Sequence, residues 1–170
     1  METKTLKLYS PGYRDAATYL AAGLFVVGNI VLPQLFHLLP QGGLVWLPIY
    51  FFTLIGAYKY GWKVGLLTAF LSPLLNHILG GMPPLTLLPA IWIKSGLLAV
   101  AAGYAAARYG RISISILLGV VLSYQVVGTL AEWPLVESFH VAVQDFRMAI
   151  PGMLLQVFGG YFLIRYVLRK

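Results

Sequence analysis

From Ala16 to Leu168 the chain is a succession of apolar runs, each nearly free of charge and each near the length of a membrane crossing. A hydrocarbon core about 30 Å thick takes about 20 residues of helix to cross. The runs end at short breaks: HLLPQGG (His37–Gly43), the turn carrying Lys59, Gly61 and Lys63, GGMPP (Gly80–Pro84), the stretch Arg108–Arg111, and Glu132-Trp133-Pro134. These breaks predict helices at about 16–36, 44–60, 62–79, 87–107, 112–131 and 140–168, the last with Pro151 inside it. The runs are continuous and lack the alternating ten-residue pattern of barrel strands, so a β-barrel is disfavoured. The expectation is an all-α integral membrane protein. It would be a six-transmembrane-helix bundle forming one membrane domain over residues 1–170.

Composition points the same way. Only 10% of the residues are charged and 59% are hydrophobic, whereas a soluble domain is about a quarter charged. Too little charge is present to cover a globule in water. The polar start METKTLKLYSPGYRD precedes an apolar run too long for a signal-peptide core, so it reads as the lead into the first membrane helix. The absence of cysteine excludes disulfides, thiolate metal sites and cysteine nucleophiles.

Basic residues set the orientation. With six spans and both termini cytoplasmic, Lys4, Lys7, Arg14, Lys59, Lys63, Arg108, Arg111, Arg165, Arg169 and Lys170 all fall inside. That side takes all but two of the twelve Lys and Arg residues, as the positive-inside rule expects. The net charge of +7 is thereby explained by topology and headgroup contact, and no nucleic-acid partner is required.

Lys94 and Arg147 are the exceptions. Each lies about two turns from the outer end of its predicted helix, roughly 10 Å deep at 1.5 Å per residue. A cation in hydrocarbon costs at least about 2.5 kcal/mol, so such a residue faces a bundle interior, a partner or a wet cavity. Either lysine or arginine could pair with Glu132, Glu137 or Asp145, or line a ligand site. Other polar groups share this depth. Thr68, Ser72 and Asn76 fall on one face of the third helix, with His77 beside them. Gln125, Thr129 and Glu132 share a face of the fifth, and His140, Gln144 and Arg147 a face of the sixth. The inner half of the fourth helix is instead AVAAGYAAA (Ala99–Ala107). The asymmetry predicts a polar cup opening outward and closed beneath. Its candidate substrate-binding residues are Asn76, His77, Lys94, Gln125, Glu132, Gln144 and Arg147. Trp46, Trp92, Trp133, Tyr50 and Tyr124 could wall it or form an interfacial belt.

Catalytic patterns are weak. His37, His77 and His140 lack the paired helical spacing of a zinc motif, and neither a nucleophile elbow nor a phosphate-binding loop is present. No catalytic residue, metal or cofactor is assigned. On the first helix Ala17-x-x-x-Ala21 offers small residues four apart, which let another helix approach closely in lipid.

Together, Ala17-x-x-x-Ala21, the stretch SPLLNHILGGMPPLTLLP (Ser72–Pro89) and the basic loops resemble the substrate-binding S component of an energy-coupling factor (ECF) vitamin transporter. The resemblance covers essentially the whole chain as topology. It implies a multi-pass protein of a bacterial plasma membrane that captures a vitamin or related micronutrient from outside. It also implies partners: a coupling transmembrane subunit, contacted through Ala17 and Ala21, and two ATPases that drive uptake. The loop His37–Gly43 would help to gate the pocket. Lys94 and Arg147 would favour an acid such as pantothenate, niacin, lipoate or a folate. Two other readings stand beside this one: an intramembrane metal- or acid/base-dependent enzyme acting on lipid, and a ligand-free scaffolding subunit.

Overall fold

A computed structural model describes residues 8–136 and 138–168. Lys4, Lys7, Arg169, Lys170 and Glu137 lie outside the described residues, as does the side chain of Asp145. Among the described residues every regular element is helical. In chain order these are α1 (Ala16–Phe36), α2 (Gly42–Trp46), α3 (Phe51–Tyr60), α4 (Trp62–Gly80), α5 (Leu88–Tyr109), α6 (Ile114–Val136), α7 (Phe139–Met148) and α8 (Ile150–Leu154). The chain continues from α8 through two π-helical stretches, Leu155–Gly159 and Leu163–Val167, with α9 (Gly160–Phe162) between them. Short 3-10 turns precede α3 (Pro48–Tyr50) and α5 (Leu85–Leu87).

Five of these segments are long and apolar enough to cross a membrane: Ala16–Phe36, Trp62–Gly80, Leu85–Tyr109, Ile114–Leu135 and Ile150–Val167. Only 28% to 39% of the residues in each are buried, so most of their apolar surface faces outward. On α1 the exposed stripe Leu20, Leu24, Val27, Val31 and Leu35 recurs at helical spacing. The buried face carries Thr18 and Asn29. An outer stripe that is wholly aliphatic, while Thr18 and Asn29 are kept among Ala22, Phe25 and Val26 on the buried face, is an order that lipid suits as solvent.

Two predicted spans are interrupted, and proline accounts for both breaks. The second, expected at 44–60, divides at Leu47–Pro48. Proline disfavours the helical conformation in the residue before it, and Leu47 takes a left-handed backbone with φ 45°. Below the break, α3 has only 10 residues, about 15 Å of rise. From Thr53 to Lys59 it is buried on every side, which makes it the central strut of the bundle. The sixth, expected at 140–168, divides at Ala149. Pro151 supplies no N–H but suits a first helical turn, and α8 starts there anew. The stretch before it becomes α7, a separate amphipathic helix with Phe139, His140, Val141, Gln144 and Arg147 exposed.

Close packing holds the end of the bundle away from these breaks. A Cβ on Gly65 of α4 would stand 2.4 Å from Ala57 of α3 and 3.0 Å from Ala99 of α5, so only glycine permits this triple approach. Ala99, Ala102, Ala105 and Ala106 are buried here. The same end carries Lys59, Lys63, Arg108 and Arg111 at its helix junctions. The Tyr58 hydroxyl donates to the Arg111 carbonyl at 2.6 Å. The Tyr9 amide donates to the Lys59 carbonyl at 2.9 Å, and the Lys59 ammonium lies over the Tyr9 ring.

Candidate functional site

At the opposite end the C-terminal turns of α1, α4 and α6 meet the N-terminal turns of α5. The breaks at Leu47 and Gly81 turn the chain inward there. Between them lies a cavity of about 180 Å³. Most of its wall is apolar: Leu44 and Leu47 from the α2 segment, Met82 and Pro83 from the strap after α4, and Ala90 and Ile91 from α5. Among the lining residues the charged ones are Lys94 and Glu132. Asn76, Tyr50 and His37 add polar groups.

The floor is an ion pair. Lys94 Nζ lies 2.5 Å from Glu132 Oε2, with 2% and 9% of the two side chains exposed. The lysine reaches its partner across Gly128, one helical turn before Glu132. A Cβ on Gly128 would stand 2.6 Å from Lys94 Cγ. The absent side chain on α6 is thus the channel along which the lysine stem runs. A cation at this depth is tolerable because its anion is already beside it.

The second polar element is a clasp centred on Asn29. In α1, Pro33 has no N–H, so the Asn29 carbonyl loses its intrahelical donor. Asn76 of α4 replaces it, its Nδ2 donating to Asn29 O and to Ser72 O, each at 2.9 Å. The Asn29 side chain donates in turn to Thr53 Oγ1 at 3.1 Å and Ser72 Oγ at 3.2 Å. Its Oδ1 accepts from the Phe52 amide in the open first turn of α3 at 3.1 Å. Three helices are tied at one point, directly against the cavity. Because both partners are carbonyl oxygens, which can only accept, the Asn76 side chain must turn its nitrogen to them. What it offers the cavity is its Oδ1, an acceptor.

The predicted site residues divide accordingly. Asn76, Lys94 and Glu132 come together in the cavity wall, and His37 and Gly43 of the expected gating loop line it too. His77 is absent from the lining. Its ring Nδ1 is 2.9 Å from the Pro83 carbonyl, where it fastens the strap to α4. Gln125 is buried deeper on α6. Together with Ser95 and Thr129 it has side-chain atoms without a hydrogen-bond partner among the described residues. Gln144 and Arg147 are corrected most. Both are exposed on α7, where Gln144 Nε2 donates to Met148 Sδ. The break at Pro151 removed them from the last span. The expectation of an acidic substrate drew on two pocket cations. Arg147 is not in the lining and Lys94 is matched by Glu132, so that expectation loses its support. Tyr50, expected as a wall or belt residue, lines the cavity, whereas Pro33 and Gly128 carry roles that no motif marks. The spacings Asn29-x-x-x-Pro33 and Gly128-x-x-x-Glu132 carried the available signal. Among the described residues no group of three or more His, Asp or Glu is gathered as a metal site.

A family model described as the ECF transporter, substrate-specific component matches residues 20–165. The chain belongs to this family. Neither the curated proteins nor the solved structures provide a match. As a substrate-specific (S) component, the protein is a membrane-embedded transporter subunit, and its family is not one of enzymes. The outward apolar faces and the charge-poor spans fit a multi-pass membrane protein. Of the small-residue pair on α1, Ala17 is exposed and Ala21 is half-buried against the core.

Proposed function

We propose that this S component captures a vitamin-sized micronutrient in the cavity between α1, α4, α5 and α6, on the outer side of a bacterial plasma membrane. Uptake is then driven by two ATPases through a coupling transmembrane subunit. The observation that carries the reading is the cavity itself. An apolar chamber with a few fixed polar groups on its floor is what a small-molecule receptor requires, and it lies at the end of the bundle away from Lys59, Lys63, Arg108 and Arg111. By the positive-inside rule that basic end is cytoplasmic, and the cavity opens outward. The chain then crosses six times with both termini inside, counting the Pro48 turn and α3 as the second passage. Asn76, Lys94 and Glu132 form the binding floor. His77 and Gln125 support it from the strap and from beneath. The segment His37–Gly43 and α2 act as the gate. Ala17 and Ala21 receive the coupling subunit, since small residues on an exposed face permit close approach of a partner helix.

Bulky variants separate the two surfaces. Ala17→Phe and Ala21→Phe should abolish uptake in cells carrying the whole transporter, while the purified variants keep the ligand affinity of the unchanged protein. Lost affinity in these variants would place the small-residue face inside the bundle's own packing. Ligand binding untouched by Glu132→Gln would remove the cavity from the mechanism.

A further inference from the structure

The floor of the cavity also specifies what it can hold. Its two charged groups cancel: the ammonium of Lys94 lies 2.5 Å from the carboxylate of Glu132. An entering carboxylate or phosphate would have to displace Glu132 or stand as an uncompensated charge in an apolar chamber, and either is unfavourable. The other fixed group, Asn76, has its amide nitrogen committed to the carbonyls of Asn29 and Ser72, which leaves its oxygen as the group it can offer the cavity it lines. The floor therefore presents acceptors, Asn76 Oδ1 and the Glu132 carboxylate, beside an ammonium that is already paired. The walls are mostly aliphatic, with Tyr50 and His37 their polar members, and the volume of about 180 Å³ is a little above that of an engineered cavity that holds benzene, about 150 Å³.

We infer that this cavity takes a small uncharged molecule, a single flat ring with a short substituent, that donates N–H hydrogen bonds to Asn76 and Glu132, and that it rejects acids of the same shape. The inference rests on the capture function proposed above and names its ligand class. A site built to accept hydrogen bonds discriminates strongly against an isostere that cannot donate them, because its buried acceptors are then left unpaired.

Two measurements test it on the full chain in lipid nanodiscs. Calorimetric titration compares probes of equal size, nicotinamide against nicotinate and benzamide against benzoate. The amide should bind at least tenfold tighter than its acid. In Glu132→Gln, where Lys94 loses the carboxylate at 2.5 Å, the preference should shift toward the acid. Equal binding of amide and acid, or preference for the acid by the unchanged protein, overturns the ligand class. In the second measurement the protein is saturated with a mixture of vitamins and nucleobases, washed, and analysed by native mass spectrometry. A retained uncharged N–H donor supports the inference. A retained acid overturns the ligand class and leaves the capture function standing. If nothing is retained and no probe binds, the ligand class and the capture function fall together.

Discussion

The Lys94–Glu132 pair makes the most quantitative prediction. Lys94→Met keeps a straight apolar stem over Gly128 and deletes the cation. Glu132→Gln keeps the shape of the carboxylate and deletes the anion. Either change alone leaves one buried charge without its partner, which costs about 3–5 kcal/mol. In a chain of 170 residues, about 1 kcal/mol moves the melting temperature by about 2–4 °C. Each single variant should therefore melt roughly 6–20 °C lower than the unchanged protein. The double variant Lys94→Met/Glu132→Gln has no stranded charge. It should recover most of the loss, which requires a coupling free energy above about 3 kcal/mol. Thermal unfolding in a single detergent, followed by tryptophan fluorescence, reads all four proteins. If the double variant loses the sum of the two single losses, the charges are not coupled. The argument that neutrality at the floor stabilises the bundle would then be refuted.

Three further outcomes follow from the same geometry. Gly128→Val places a branched side chain where Lys94 Cγ stands 2.6 Å from the ideal Cβ; it should weaken ligand binding at least tenfold, measured by titration, while circular dichroism stays helical. Pro33→Ala restores an N–H to α1, which competes with Asn76 for the Asn29 carbonyl; affinity should fall severalfold with little change in melting temperature, since a net hydrogen bond is worth only about 1 kcal/mol. Ala90→Phe fills the cavity from α5 and should abolish binding while leaving the unfolding temperature equal or higher, read in the same titration and melting experiments.

Hydrophobic runs made α1, α4, α5 and most of α6 legible, because a membrane helix has to satisfy its backbone internally and show carbon to lipid. The same rule marked Lys94, Glu132 and Asn76 as inward-facing before any contact was known. The rule does not distinguish a spanning run from one that folds back at proline. From Leu44 to Tyr58 the residues are apolar or aromatic but for Gly56 and Thr53, yet Pro48 divides the run into a cap, a turn and a strut. The last predicted run is likewise divided at Pro151, which carried Arg147 out of the predicted cup. Pairing was the other hidden quantity. The depth of Lys94 leaves it either to pair with a carboxylate or to line a ligand site, and choosing Glu132 among the available carboxylates depends on Gly128, whose meaning lies in the side chain it lacks. The role of Pro33 was hidden for the same reason: its effect is a missing donor, felt through Asn29 by a residue on another helix.

A receptor that must load and later release one solute gains from a floor that is polar but already neutral. An unpaired lysine would have to be stripped of water and matched afresh at every loading, and its hold on an anion would resist release. With Lys94 and Glu132 paired at 2.5 Å, the electrostatic desolvation is settled during folding. On the proposed function, selectivity would then fall to a few hydrogen-bond directions set by the Asn29 clasp. That clasp joins α1, α3 and α4, whereas the ion pair joins α5 and α6. A ligand touching Asn76 and Glu132 together would bridge the two halves of the bundle. Occupancy would thereby bear on the relative placement of α1, which carries the small-residue face, and the helices behind it.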